Sequence, residues 1–145
     1  GGHLPVAKLL LQNCADARAA DKDGVTALLH AANGGHVDVA KLLLLEHGVD
    51  VTEARQDGST ALMLAALGGH MAIAKLLLEN GANVKAANND GVTALMVAAK
   101  GGHLPVAKLL LEQGADVRVA KQDGFTALML AAEGGHVDVA KRVQM

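Results

Sequence analysis

Seven histidines, five methionines and one cysteine are the side chains of this 145-residue chain most able to ligate a metal or to act as base or nucleophile. Five of the histidines keep one beat. His3, His36, His70, His103 and His136 each follow Gly-Gly, at spacings of 33, 34, 33 and 33 residues. One side chain per repeat does not make a metal centre. Zinc ligands must lie within about 2.1 Å of the ion, whereas stacked helical layers stand about 10 Å apart. Each periodic histidine is therefore expected to hydrogen-bond the turn of its own or an adjacent repeat. Met63, Met96 and Met129 form a second row, in principle suited to a soft metal or a greasy groove. Their register on a helix makes core packing the expected role. His30 and His47 stand off the beat and are read as exposed or capping residues. Cys14 has no neighbouring base in sequence. No glycine-rich phosphate loop, His-Glu-x-x-His or nucleophile elbow occurs. The chain is read as non-catalytic, with no cofactor and no metal.

What positions these residues is a repeat. A second landmark, Asp-Gly followed by Thr-Ala-Leu, keeps the same period: Asp23-Gly24 with Thr26, Asp57-Gly58 with Thr60, Asp90-Gly91 with Thr93, and Asp123-Gly124 with Thr126. Two landmarks on one period imply a stack of equivalent units in which each contacts its neighbours, rather than one globular core. The amino-acid content agrees. Half the residues are apolar, yet Phe125 is the only aromatic, as suits thin layers of Ala and Leu.

Within residues 88–120, Asn89-Asp90-Gly91 carries turn chemistry, and Thr93 can cap a helix beginning at Ala94. That helix runs to Lys100 and is ended by Gly101-Gly102. Pro105 belongs in the first turn of a second helix. Val106, Leu109 and Leu110 form its apolar stripe, Gly114 closes it, and Ala115-Asp116-Val117-Arg118 is read as an extended return. Two irregularities stand out. Residues 21–54 carry one extra residue, assigned to the run Leu42–Leu45 and expected to make a bulge or a longer helix. Cys14 occupies the helix-ending position held elsewhere by Gly, a poor exchange if the backbone there has positive φ.

These motifs resemble the ankyrin repeat over the whole chain. The family's Gly-x-Thr-Pro-Leu-His-x-Ala-Ala is matched by Gly58-Ser59-Thr60-Ala61-Leu62-Met63-Leu64-Ala65-Ala66. Its Gly-His…Leu-Leu-Leu…Gly-Ala-Asp-Val is matched by Gly102-His103…Leu109-Leu110-Leu111…Gly114-Ala115-Asp116-Val117. The family's Pro is replaced by Ala27, Ala61, Ala94 and Ala127, and its His by Leu29, Met63, Met96 and Met129. The resemblance implies an all-α solenoid of stacked helix-turn-helix units joined by hairpin-like turns. It divides into a half repeat (1–20), repeats 21–54, 55–87 and 88–120, and a shortened terminal repeat (121–145). It also implies a concave face of turn tips and first helices that binds a protein partner. The corresponding contact positions are Lys22, Asp23, Val25 and Asn33; Gln56, Asp57, Ser59 and Leu67; Asn89, Asp90, Val92 and Lys100; and Gln122, Asp123, Phe125 and Glu133. No Trp, Tyr or Arg occupies them, which leaves Phe125 and Leu67 as the apolar anchors.

Net charge is −2 with acids and bases interspersed, so neither nucleic acid nor a membrane is expected as partner. The longest unbroken aliphatic run, Leu42–Leu45, is far short of a membrane span. A single thiol fits a reducing compartment such as the cytoplasm. Asp38 with Lys41 and Asp138 with Lys141 are spaced for solvated ion pairs. Residues 1–11 recur unchanged as 101–111, and the chain opens mid-repeat without Met. Both features suit a fragment of a longer array, or an engineered scaffold with no natural partner. The last helix replaces apolar positions with Arg142 and Gln144, as a terminal cap would. Leu4, Val6, Leu9, Leu10 and Leu11, by contrast, form an uncapped apolar helix, expected to self-associate or to fray.

Overall fold

The computed structural model describes residues 2–144. Among them the helices pair off along the chain. α1 (Leu4–Gln12) is followed by α2 (Ala27–Gly34) with α3 (Val37–Lys41), α4 (Ala61–Leu67) with α5 (Met71–Glu79), α6 (Ala94–Gly101) with α7 (Leu104–Glu112), and α8 (Ala127–Glu133) with α9 (Val137–Gln144). The first helices α2, α4, α6 and α8 pack successively on one another, and the second helices α3, α5, α7 and α9 do the same behind them. Between pairs the chain reverses in a hairpin pinned by single bridges, Ala20 with Thr26, Ala54 with Thr60, Ala87 with Thr93 and Ala120 with Thr126. No helix among the described residues is long and apolar enough to cross a membrane.

Each first helix starts where a threonine turns extended backbone into helix. Thr26, Thr60, Thr93 and Thr126 accept on the hydroxyl the N–H of the residue three positions on, at 3.4, 3.4, 3.3 and 3.4 Å. This satisfies one of the donors that a helix start leaves open. Thr26 also donates its hydroxyl to Glu53, near the end of the same repeat, at 2.5 Å. The other repeats have alanine or valine at Glu53's position (Ala19, Ala86, Val119), so this staple is confined to one joint.

The Gly-Gly-His motif is a single structural device. His70, His103 and His136 direct Nε2 at the main-chain carbonyls of Asn33, Leu67 and Lys100, each in the preceding repeat, at 3.1, 3.1 and 3.0 Å. The expected histidine role therefore holds for these three, whose bonds all reach backward to the adjacent repeat. The rings need room that only glycine leaves. A Cβ on Gly68 would lie 2.2 Å from His70, and one on Gly69, whose φ is +68°, would lie 2.5 Å from His103. Two glycines thus serve two histidines, one from the same repeat and one from the next.

Core layers of alanine and leucine fill the space between helices. Leu28, Leu29, Leu62, Ile73, Leu77, Leu95, Val106 and Leu110 are fully buried. The methionine row divides. Met63 and Met96 are core residues, but Met129 is 50% exposed because, among the described residues, no further first helix packs on α8. Core packing therefore fails as its role. Leu128, in the register of the buried Leu62 and Leu95, is likewise exposed. Gln144 is exposed as a cap residue should be, yet the terminal layer as a whole is not polar. At the other end α1 has no buried residue, and Val6, Leu9 and Leu10 face outward. Beside it a notch of about 470 Å³, lined among others by Ala7, Ala27, His30 and Ala31, opens where interior repeats would place a first helix.

The extra residue is absorbed as a π-helical turn, Leu42–Glu46, continuing α3. Leu42, Leu43 and Leu44 stay buried while Leu45 is pushed into solvent. Arg18 in the preceding half repeat closes this wider turn, its Nη2 donating to the carbonyls of His47 and Gly48, both at 3.2 Å. His47 is thus at the end of the turn as expected, and His30 is exposed.

Two expectations about the connections need correction. Residues 115–118 are not uniformly extended: Val117 and Arg118 form a turn in which the Arg118 N–H donates to the Asp116 carboxylate at 2.9 Å. Asp16, Asp50 and Asn83 make the same bond in their repeats. This is the usual preference of Asx side chains for their own backbone two residues on. Asp38–Lys41 and Asp138–Lys141 do not pair. The ion pairs among the described residues are Arg118–Asp116 and Lys121–Asp123. In the Arg118–Asp116 pair, whose side chains are exposed, little is gained by holding one geometry.

Cys14 keeps the left-handed backbone of the glycines it replaces, with φ +68° against +93° and +94° at Gly81 and Gly114. It is exposed. Cys14→Gly is expected to stabilise the first layer by about 1 kcal/mol, since only glycine adopts this conformation without steric cost. Urea unfolding of the two proteins checks this, and a lower midpoint for the glycine variant would contradict it.

Candidate functional site

The hairpin tips are locked into a ladder before any partner arrives. The main-chain N–H groups of Gln56, Asn89 and Gln122 donate to the carbonyls of Asp23, Asp57 and Asp90 in the preceding tip, each at 2.9 Å. Two side chains reinforce it: Asn89 Nδ2 donates to the Gln56 carbonyl at 3.2 Å, and Gln122 Nε2 to the Asn89 carbonyl at 2.7 Å. Asn89 and Gln122, read from sequence as contact residues, thus also serve as staples between repeats. Each tip is tightened from within. Asp21 and Asn88 accept N–H bonds from residues two and four positions on, and Asp57 and Asp123 from Ser59 and Phe125. These donors hold the carboxyls of Asp21 and Asp57 below the ordinary range, with the Val25 N–H the main cause for Asp21 and the Ser59 N–H for Asp57.

Of the sixteen contact positions, Val25, Ser59 and Val92 are half-buried and the others exposed. The structure gathers six of them, Leu67, Val92, Lys100, Asp123, Phe125 and Glu133, around one cleft of about 660 Å³ spanning the last three repeats. Its floor is apolar, made by Met96 and Val97 of α6 and Leu130 of α8. Leu67 (58% exposed) and Phe125 (37% exposed) present their side chains into it from opposite repeats. Lys22 and Asn33 lie outside this cleft. Asp23, Gln56 and Asp57 line a separate shallow notch with Arg55.

That notch corrects one expectation, because an arginine does stand at the tips. Arg55 is half-buried, and its Nε is enclosed without a hydrogen-bond partner. Lys121 was also missed. Its ammonium pairs with Asp123 and sits 5.3 Å from the centre of the Phe125 ring, close enough for a cation–π contact. The same hydrogen bond from Lys121, reinforced by the Phe125 N–H, holds the Asp123 carboxyl below its usual range. Val97 and Gly101 had a readable signal: with Lys100 they fall at i, i+3 and i+4, one face of α6.

Nothing in the cleft resembles catalytic machinery. Its acids and bases are spread along a rim, and among the described residues no three His, Cys, Asp or Glu side chains converge where they could hold a metal ion. What the arrangement offers is a rigid apolar trough with charged edges, carried by a stack of helix-turn-helix repeats. That defines a repeat solenoid with a cleft built jointly by turn tips and first helices. The family model described as ankyrin repeats (3 copies) matches residues 1–88 and 84–143, and the chain belongs to the ankyrin repeat family. No curated protein matches it. Ankyrin repeats are generally protein–protein interaction modules, typically without catalytic activity.

Proposed function

We propose that this chain binds a protein partner without catalysis, through the face formed by its turn tips and first helices, with the cleft between Leu67 and Phe125 as the anchoring point. The observation that carries this reading is the convergence of six predicted contact positions on one apolar trough. Such a trough admits side chains of a partner without prior rearrangement, which lowers the ordering cost of association. Contact energy in interfaces concentrates in a few desolvated anchors, and here Lys121 lies against the Phe125 ring.

The test is affinity capture with the wild-type chain against Leu67→Ala, Phe125→Ala and the double variant. Phe125→Ala is expected to weaken binding of the captured partner by about 1–2 kcal/mol, a loss of roughly five- to thirtyfold. Equal recovery by the wild type and the double variant would move the site to the second helices.

The exposed apolar face of α1 supports a second association, between copies of this chain through Val6, Leu9 and Leu10. Light scattering checks it: an increase in mass with concentration is expected for the wild type and is abolished in Leu9→Lys/Leu10→Lys. A wild-type monomer at every concentration overturns it.

A further inference from the structure

Among the described residues, two charges on the cleft rim have no ionic partner. Lys100 and Glu133 occupy the same position in successive repeats and both border the trough, yet neither joins the ion pairs formed among the described residues. Lys121 and Asp123, the other charges there, neutralise each other. The cleft therefore presents a free cation and a free anion one repeat apart, about 10 Å for stacked helices, beside an apolar floor of Met96, Val97 and Leu130.

We propose that the cleft takes an amphipathic α-helix of a protein partner, laid along the stack with an acidic side chain over Lys100, apolar side chains in the trough and a basic side chain over Glu133. The proposal rests on the reading of this cleft as the partner-binding site. A helix rises about 1.5 Å per residue, so positions i and i+7 lie about 10.5 Å apart on one face, with i+3 and i+4 between them. The rim charges are therefore in register with i and i+7, while the apolar floor lies one helical turn to the side. Val97 and Leu130 each stand three residues before Lys100 and Glu133, where i+3 on the flank of the same stripe reaches them. An extended segment fits less well, because its same-side residues recur about every 6.6 Å. The order of charges also suits the helix itself, which favours an acid towards its N-terminus and a base towards its C-terminus.

The test uses fluorescein-labelled synthetic peptides on an alanine- and glutamine-rich helical background. The probe carries Glu-x-x-Leu-Leu-x-x-Lys. One control carries Lys at both charged positions, and another keeps the composition but moves Glu and Lys to the face opposite the leucines. Fluorescence anisotropy is expected to show the probe binding about tenfold more tightly than either control. With Lys100→Glu, the preference between the probe and the all-lysine peptide should invert. Equal affinity for all three peptides, or an unchanged preference in Lys100→Glu, overturns the helix. Absence of saturable probe binding overturns it as well. If charge and spacing prove irrelevant while Phe125→Ala still weakens peptide binding, the helix falls and the cleft stands as a binding site.

Discussion

Gly69→Ala is expected to lower the unfolding free energy by about 3 kcal/mol, from a methyl group on a solvent-accessible turn. Two costs combine. Gly69 has a φ of +68°, a region that costs a residue with a Cβ about 1–2 kcal/mol. The new Cβ would also lie 2.5 Å from Nδ1 of His103 in the next repeat, and relieving such overpacking costs about 1–3 kcal/mol. The His103 ring cannot retreat without releasing the Leu67 carbonyl, to which its Nε2 is bonded at 3.1 Å. Urea unfolding of the single variants and of Gly69→Ala/His103→Ala separates the contributions. Removing the ring should make the alanine cheaper, so the double variant loses less than the sum of its parts. Strict additivity would show that the glycine serves its backbone conformation alone.

Met96→Ala and Met129→Ala should differ sharply although they make the same change at the same repeat position. Met96 is 1% exposed, pressed between the first helices on either side. Its truncation leaves a cavity and is expected to cost about 2–4 kcal/mol. Met129 is half exposed on the open side of α8, and its truncation should cost less than about 1 kcal/mol. Comparable destabilisation by thermal or urea unfolding would mean that something covers the C-terminal layer in solution.

Local features of this chain were legible because their causes are local. The threonine caps, the glycine stops, the positive φ of Cys14 and the disturbance at Leu42–Leu45 each depend on a few consecutive residues, and the 33-residue beat multiplied each signal. The Asx turns at Asp16, Asp50, Asn83 and Asp116 are equally local, yet residues 115–118 were read as extended, although the acid or amide recurring at that position was the signal for a turn. The direction of the histidine bonds was not legible, since a hydrogen bond reaching 36 or 37 residues back depends on how one repeat seats on another.

The cleft shows the same division. The resemblance to the ankyrin repeat implied that Leu67, Lys100, Phe125 and Glu133 share one face, since the family's contact positions recur once per repeat. The sequence did not show that Met96, Val97 and Leu130 would form a floor between them, nor that Lys121 would pair with Asp123 over the Phe125 ring. It also treated Met129 as equivalent to Met96. The repeat determines each residue's position within its layer, but burial depends on whether another layer is stacked upon it. Charge compensation depends likewise on side chains meeting across a turn. By itself, then, the sequence determined the unit, its period and its face; the stacking of units decided what is buried, which charges are left free and where a trough can form.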